Sequence, residues 1–257
     1  MYWVHVPRTG AVFRKHLIAV VCPRVRRMFQ KQPRRTDAFV GGDPGKGPFK
    51  QPLCTYNFDV DALYGHAPFP RDAPGEALLV VVLRSPTARA VSSFWRAARR
   101  ADAGGAAEKA AGAAEKDATA RLRAHADRCA DCALKMILGF GCYARTPASK
   151  LDLGAAVARL ESSAFVGISE RWTDSLILLR RTFDVDAAAW ASKLDAGVQR
   201  QPRPYSDAQR DAGLRALAAW RTADHDLYEV ATRIFQARLD LSDDEELGAV
   251  LDLPERR

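Results

Sequence analysis

The sequence predicts an α/β fold with a central, mainly parallel sheet flanked by helices. Short apolar runs rich in β-branched residues alternate along the chain with longer segments of helical spacing. One run, Ala77–Leu83, is apolar throughout, which is typical of a parallel strand covered on both faces. Because such alternation is the signature of α/β proteins and 257 residues suit one core, residues 1–257 are interpreted as a single domain.

Composition and charge narrow the class of protein before any motif is considered. Hydrophobic residues make up 47% of the chain and charged residues 27%, which is ordinary for a soluble globular protein and excludes wholesale disorder. The formal net charge of +8 favours an anionic partner: a nucleotide, a nucleic acid, an acidic polysaccharide or a membrane surface. No stretch approaches the roughly 20 apolar residues that cross a bilayer, so the chain as given is expected to be soluble.

The N-terminal part is predicted to run from a strand through a tight loop into a helix. Tyr2–Val6 is a short run of apolar, β-branched and aromatic residues that stops at Pro7 and is followed by Thr9-Gly10. Helical spacing begins near Val12. A further strand is predicted around Thr55–Val60.

The run Ala77–Leu83 is the clearest predicted strand, and a helix is predicted to follow it directly. Ser85 suits the N-cap and Pro86 the first helical position, so this helix is expected to run through Trp95. The next stretch, residues 97–120, is rich in alanine and nearly repetitive, with glycines that interrupt its helical composition. It is interpreted as a partly helical surface insertion of low complexity.

The C-terminal half is predicted to contain one strand and several helices. The strand Phe165–Ile168 is short and ends at Ser169-Glu170. Helical spacing predicts five helices, at Cys132–Leu138, Leu153–Leu160, Trp172–Phe183, Ser206–Ala219 and Asp224–Leu239.

The five cysteines leave at least one thiol unpaired within the chain. Cys129 and Cys132 have C-x-x-C spacing, but no second such pair accompanies them, and His125 is the only further zinc ligand nearby. A metal site is therefore not expected here. A disulfide or buried thiols are the favoured interpretation, with the pairing left open.

The junction after the first strand has the composition of an anion-binding loop. A strand that feeds a tight loop into a helix start presents backbone N–H groups and a positive dipole end. Arg8 adds a cation and Thr9 a hydroxyl donor. The nucleoside triphosphatase loop is absent, because no Lys-Ser/Thr pair follows Gly10. Taken alone, the pattern is weak, because it is more often that of an ordinary strand, turn and helix.

Two later junctions repeat this arrangement of polar residues at a strand end. Arg84 follows the buried strand directly, where open α/β sheets bind ligands, and Ser92 lies two turns into the next helix. A guanidinium at this point can fork onto a phosphate, and the hydroxyl can donate to the same group. The segment Phe165–Trp172 is the third junction. An ordinary surface arginine is the alternative for Arg84, but the strand–Arg–x–Pro–helix context favours binding.

Together these segments resemble the sulfotransferases that use 3′-phosphoadenosine 5′-phosphosulfate (PAPS), in particular the Golgi carbohydrate branch that includes the heparan sulfate 2-O-type enzymes. The family's phosphosulfate loop, 3′-phosphate motif and later segment read roughly H-x-P-K-T-G-G-T-S, L-R-D-P-x-x-R-x-x-S and F-V-G-x-x-E-R-x-x-x-S-L. Similar stretches occur here in the same order, at His5–Phe13, Leu83–Ser92 and Phe165–Leu176. Tyr64–Phe69 is similar to the family's G-H-x-P-F/Y segment, and Lys135–Gly139 to its Q-T-R-M-L-x-G segment.

The resemblance implies a P-loop-like three-layer sandwich that transfers the sulfuryl group of PAPS to a carbohydrate hydroxyl by in-line displacement, without a metal. It implies that His66 is the general base and Arg8 the catalytic cation. The residues implied to bind PAPS are Arg8, Thr9, Gly10, Ala11, Val12 and Phe13 near the 5′-phosphosulfate, and Arg84 and Ser92 at the 3′-phosphate. Family members usually work in the Golgi lumen behind an N-terminal membrane helix, and this sequence contains no such tether.

Three departures from the family pattern fall in the phosphosulfate loop and keep alternatives open. Arg8 stands where the family has lysine, Ala11 replaces the second glycine, and Val12 replaces a hydroxyl residue. These changes favour, as one alternative, a catalytically weak member that binds nucleotide or an acidic polysaccharide. A basic nucleic-acid-binding protein is another, supported by the charge of Arg24–Arg35, but no zinc-finger, helix-turn-helix or RNA-recognition signature accompanies it, so nucleic acid is not expected. A protein acceptor such as tyrosine also stays open.

Overall fold

The computed structural model describes residues 2–4, 6–9, 66, 68–73, 79–102, 115–183 and 205–241. Within these residues, three strands form one parallel sheet in the order β1-β2-β3. Strand β1 is Tyr2–Val4, β2 is Leu79–Leu83 and β3 is Phe165–Ile168. The parallel sheet of the predicted α/β fold is therefore confirmed, whereas the predicted strand at 55–60 and the helix near residue 12 lie outside the described residues.

Strand β2 lies between the other two strands because its sequence can be buried on both faces. All of its residues are buried, and Val81 pairs with Val4 on one side and Val166 on the other. Strand β3 approaches β2 closely at Gly167, where an added Cβ would lie 3.2 Å from Val82 Cγ2. A small residue is needed at this point of the sheet.

Helices connect and cover the strands. Those of the described residues are, in chain order, α1 Pro86–Asp102, α2 Glu115–Arg128, α3 Cys132–Ile137, α4 Leu153–Glu161, α5 Trp172–Thr182, α6 Asp207–Ala216 and α7 Ala223–Asp240. The five helices predicted for the C-terminal half are confirmed, with ends that differ by a few residues. Among the described residues, no helix is long and apolar enough to cross a membrane.

Helix α1 begins at Pro86, as the N-cap pattern predicts, but it extends to Asp102 rather than ending near Trp95. The last residues of α1 form the start of the alanine-rich stretch, and the first residues of α2 form the end of that stretch. The two helices share a small apolar core with α6, in which Val91 packs with Leu122. These contacts hold α1 and α2 together on either side of that stretch.

A buried ion pair fixes α7 against α1. Arg89 Nη2 donates to Asp224 Oδ2 at 2.9 Å, and both side chains are almost fully buried. The same carboxylate accepts hydrogen bonds from the backbone N–H groups of Ala133 and Leu134 at the start of α3. Because every charge here has a partner, the cluster positions α1, α3 and α7 relative to one another.

Candidate functional site

The loop after β1 is held in an unusual conformation by its own side chains. Thr9 Oγ1 donates to the carbonyl oxygen of Val6 at 2.8 Å, and the backbone N–H of Thr9 reaches the same oxygen at 3.4 Å. Arg8, between them, has a φ of 70°, in the left-handed region that residues other than glycine seldom adopt. This turn fixes the direction in which the carbonyl and side chain of Arg8 project.

Three residues that the sequence assigns to two separate motifs lie together in the structure. Arg84 Nη1 donates to the carbonyl oxygen of Arg8 at 3.2 Å. The side chain of Arg8 in turn donates from Nη2 to Ser92 Oγ at 3.0 Å. Ser92 is buried on α1, two turns after the helix start that follows β2. The strand-end loop and the strand–helix junction thus form one cluster.

Glu170 adds a carboxylate to this cluster from the end of β3. Its Oε1 accepts the backbone N–H of Ser85 at 3.1 Å and lies 3.8 Å from Arg84 Nε. Its Oε2 accepts hydrogen bonds from the hydroxyls of Ser169 and Tyr228. Sequence reasoning marked Ser169-Glu170 only as polar residues at a strand end and did not identify Tyr228, because its contact is made from α7 and leaves no local signal.

The hydroxyl of Tyr228 remains protonated at neutral pH. Burial raises the pKa of this phenol well above its ordinary value, and the negative charge of Glu170 raises it further. The hydroxyl is therefore a hydrogen-bond donor to the carboxylate.

The resulting cluster has the chemistry of an anion site. The cluster contains two guanidinium groups, Arg8 and Arg84, and one carboxylate, Glu170, so its formal charge is positive. Arg84 is 25% exposed, and its Nη2 makes no hydrogen bond to the described residues. A planar guanidinium held at one edge, with its other edge toward solvent, is suited to a phosphate or sulfate oxygen.

Of the remaining residues of the predicted site, the structure describes Thr9 and His66. Thr9 is buried with its hydroxyl proton directed to Val6, while residues 10–13 lie outside the described residues. His66 is exposed. Phe69, three residues later, packs edge-on against Tyr2 of β1 with 5.5 Å between ring centroids, and its N–H donates to Met136. The segment that carries His66 is thereby attached beside β1, the strand that leads to Arg8.

A cavity of about 340 Å³ lies away from this chemistry. It is formed between α1, α2 and α6, with Phe94, Trp95 and Leu122 among its lining residues. Arg8, Arg84, Ser92 and Glu170 do not line it. The strand-end cluster is the better candidate site, because it gathers charged groups at the sheet edge where α/β proteins bind ligands.

Two of the cysteines among the described residues form a structural link. Cys132 is disulfide-bonded to Cys142, and Cys129 is a buried free thiol whose sulfur lies 3.6 Å from His125 Nε2. Burial is the main cause that raises the pKa of Cys129 and lowers that of His125. Of the two cysteines with C-x-x-C spacing, Cys132 is therefore part of the disulfide and Cys129 is a thiol. In the part of the chain that the structure describes, no group of three or more His, Cys, Asp or Glu residues is placed to hold a metal ion.

Comparison with known proteins does not identify a relative: no family model, curated protein or solved structure matches the chain. The interpretation of the site therefore depends on its geometry and on the sequence motifs. Both lead to the same group of residues, Arg8, Arg84 and Ser92.

Proposed function

We propose that this protein is a sulfotransferase that moves the sulfuryl group of PAPS to a hydroxyl of a carbohydrate. The observation that carries the proposal is the Arg84–Arg8–Ser92 chain of hydrogen bonds. It joins the two sequence segments that resemble the family's phosphosulfate loop and 3′-phosphate motif. In an enzyme that binds one nucleotide through both motifs, these residues must be neighbours. The proposal includes the family's P-loop-like three-layer sandwich, of which the described sheet supplies three strands.

In this proposal, each of the two arginines binds a different anionic group of PAPS. Arg84, exposed at one edge, and the Ser92 hydroxyl hold the 3′-phosphate. Arg8 lies at the 5′-phosphosulfate, where it stabilises the charge that develops on the bridging oxygen as the S–O bond breaks. Sulfuryl transfer follows the in-line geometry of phosphoryl transfer, so positioning and electrostatic stabilisation supply most of the rate. No metal is needed in this scheme.

His66 is the proposed general base. It is exposed, as a residue that meets a large acceptor must be, and its segment is attached beside β1 through Phe69. The imidazole accepts the proton of the acceptor hydroxyl as the oxygen attacks sulfur. A base in this position contributes roughly 10²–10⁴-fold to the rate.

The acceptor class and the location follow from the family resemblance. The proposed acceptor is a glycan, including an acidic polysaccharide, for which the net charge of +8 is suited. The proposed compartment is the Golgi lumen.

The direct test is transfer of radiolabelled sulfate from PAPS to a panel of desulfated glycans. We expect labelled glycan with the intact chain, loss of labelling with R8A, and unchanged labelling with R221A, an exposed arginine that pairs with Asp226 and Glu229. Absence of label on every glycan and on tyrosine peptides, from protein shown to be folded, would contradict the proposed activity.

A second candidate is a catalytically weak member that binds nucleotide without efficient transfer. The observation that favours it is that Arg8, which replaces the family's lysine, directs Nη2 to Ser92 and cannot give up a proton. An R8K variant separates the two. Turnover that rises with lysine would indicate slow chemistry at an intact site, and turnover that falls would favour arginine as the working residue.

A further inference from the structure

Glu170 places one of the protein's own carboxylates where an incoming phosphate would bind. Its Oε1 accepts the backbone N–H of Ser85 at 3.1 Å, immediately before the first residue of α1, and lies 3.8 Å from Arg84 Nε. A backbone N–H at a helix start beside an arginine is the donor pair that anion sites use. A side-chain carboxylate therefore takes up donors that a ligand phosphate would need.

The other side of the same carboxylate has alternative partners. Tyr228 on α7 donates its hydroxyl to Glu170 Oε2 at 3.1 Å, and Ser169 donates at 3.2 Å. Both hydroxyls are neutral donors, so Glu170 remains hydrogen-bonded even when Arg84 turns to another anion. The 3.8 Å separation from Arg84 is too long for a hydrogen bond, so this ion pair is loose enough to be exchanged.

We propose that Glu170 competes internally with the ligand phosphate for Arg84, and so sets the nucleotide affinity of the site. The inference rests on the proposed nucleotide site. On binding, the phosphate takes the guanidinium of Arg84, and Glu170 is retained by Tyr228 and Ser169. Because Glu170 is 38% exposed, solvent screens its charge only in part, and repulsion between the carboxylate and the bound phosphate persists.

The proposal predicts opposite effects for changes at the two ends of the Glu170–Tyr228 hydrogen bond. E170Q keeps an oxygen for the Ser85 N–H but removes the charge, so adenosine 3′,5′-bisphosphate should bind roughly tenfold more tightly. Y228F removes the donor that draws Glu170 away from Arg84, so binding should weaken about threefold. The matched control is E229Q, which removes the same charge from an exposed residue paired with Arg221 and should leave the affinity unchanged.

Calorimetric titration with adenosine 3′,5′-bisphosphate at one fixed salt concentration measures all four proteins, after thermal melting has shown that each is folded. Tighter binding by E170Q together with weaker binding by Y228F is the expected result. If E170Q binds equally or more weakly while the unaltered chain binds, Glu170 orients Arg84 and the competition is excluded, whereas the nucleotide site stands. Absence of binding by every protein overturns the proposed function and this inference with it. Should E170Q fail to fold, unchanged or tighter binding by Y228F overturns the competition.

Discussion

Arg8 Nη2 donates a hydrogen bond to Ser92 Oγ across 3.0 Å and 84 positions of sequence. The contact joins the loop after β1 to the second turn of α1. Arg84 joins the same group of residues, because its side chain donates a hydrogen bond to the carbonyl oxygen of Arg8. A single cluster of residues thus links both strand ends, and this is the cluster to which the proposed function assigns the two anionic groups of the nucleotide.

Removal of the Ser92 hydroxyl should weaken nucleotide binding and lower stability. S92A deletes a buried acceptor of the Arg8 guanidinium, so we expect the free energy of unfolding to fall by about 1.5 kcal/mol. The same Ser92 hydroxyl is a proposed donor to the 3′-phosphate, so its removal should also lower the affinity of the protein for adenosine 3′,5′-bisphosphate roughly tenfold. Urea unfolding and calorimetry check the two effects. S93A is the control, because Ser93 bonds to Cys129 instead, and an equal affinity loss in S93A would count against a specific role of Ser92.

Replacement of His66 should separate chemistry from binding. H66N removes the proposed base from an exposed position, so kcat should fall roughly 10²–10⁴-fold. The affinity for adenosine 3′,5′-bisphosphate should stay unchanged, because the nucleotide contacts are assigned to the arginines and Ser92. Steady-state assays and calorimetry give the two quantities. An H66N protein with full turnover would remove His66 from the mechanism.

The strands of the sheet and the start of α1 were predictable from sequence because they depend on local patterns. Phe165–Ile168 is a strand within the bounds that its short apolar run predicts, and Pro86 begins α1 as its position after Ser85 predicts. The strand-end rule for α/β sheets also places Arg84 and Ser92 near each other, since both follow the same strand.

The rest of the site and of the fold depends on contacts between distant residues. Tyr228 meets Glu170 across 58 positions of sequence, and Arg89 meets Asp224 across 135. Such pairs are determined by how α7 packs on the sheet and have no periodic signal. Helix α1 likewise packs on α2 and α6 through residues that are distant in sequence, such as Val91 and Leu122.

Acidification should destabilise the protein through His225. Its Nδ1 accepts the backbone N–H of Thr222, and Nε2 lies 3.1 Å from Thr87 Oγ1. Burial lowers the pKa of this imidazole below its ordinary value of 6.5. The unfolded chain then takes up a proton before the folded chain, so the free energy of unfolding should fall as pH drops below about 6.5.

Urea unfolding at pH 7.5 and pH 5.5 measures this slope, and H225Q should reduce it. The slope should not vanish, because burial also lowers the pKa of His125 in the same direction. An identical slope in H225Q and the unaltered chain would show that His225 is not the group responsible.

The disulfide between Cys132 and Cys142 should contribute measurably to stability. It closes a loop with a sequence separation of 10, for which the chain-entropy model gives about 3 kcal/mol. C142S should lower the free energy of unfolding by that amount, whereas C129S should not, since Cys129 is a free thiol. Peptide mapping without reductant should recover Cys132 linked to Cys142. A Cys129–Cys132 link would contradict this pairing.

The most direct test of the central claim is calorimetric binding of adenosine 3′,5′-bisphosphate to the intact chain and to R84A. The guanidinium of Arg84 is held at one edge by the carbonyl oxygen of Arg8, and 25% of the side chain is exposed. Arg84 should therefore contribute a charge-assisted hydrogen bond to the ligand. We predict binding in the micromolar range, weakened about tenfold or more in R84A. A folded, intact chain that does not bind this nucleotide, or binds it equally well without Arg84, would contradict the account.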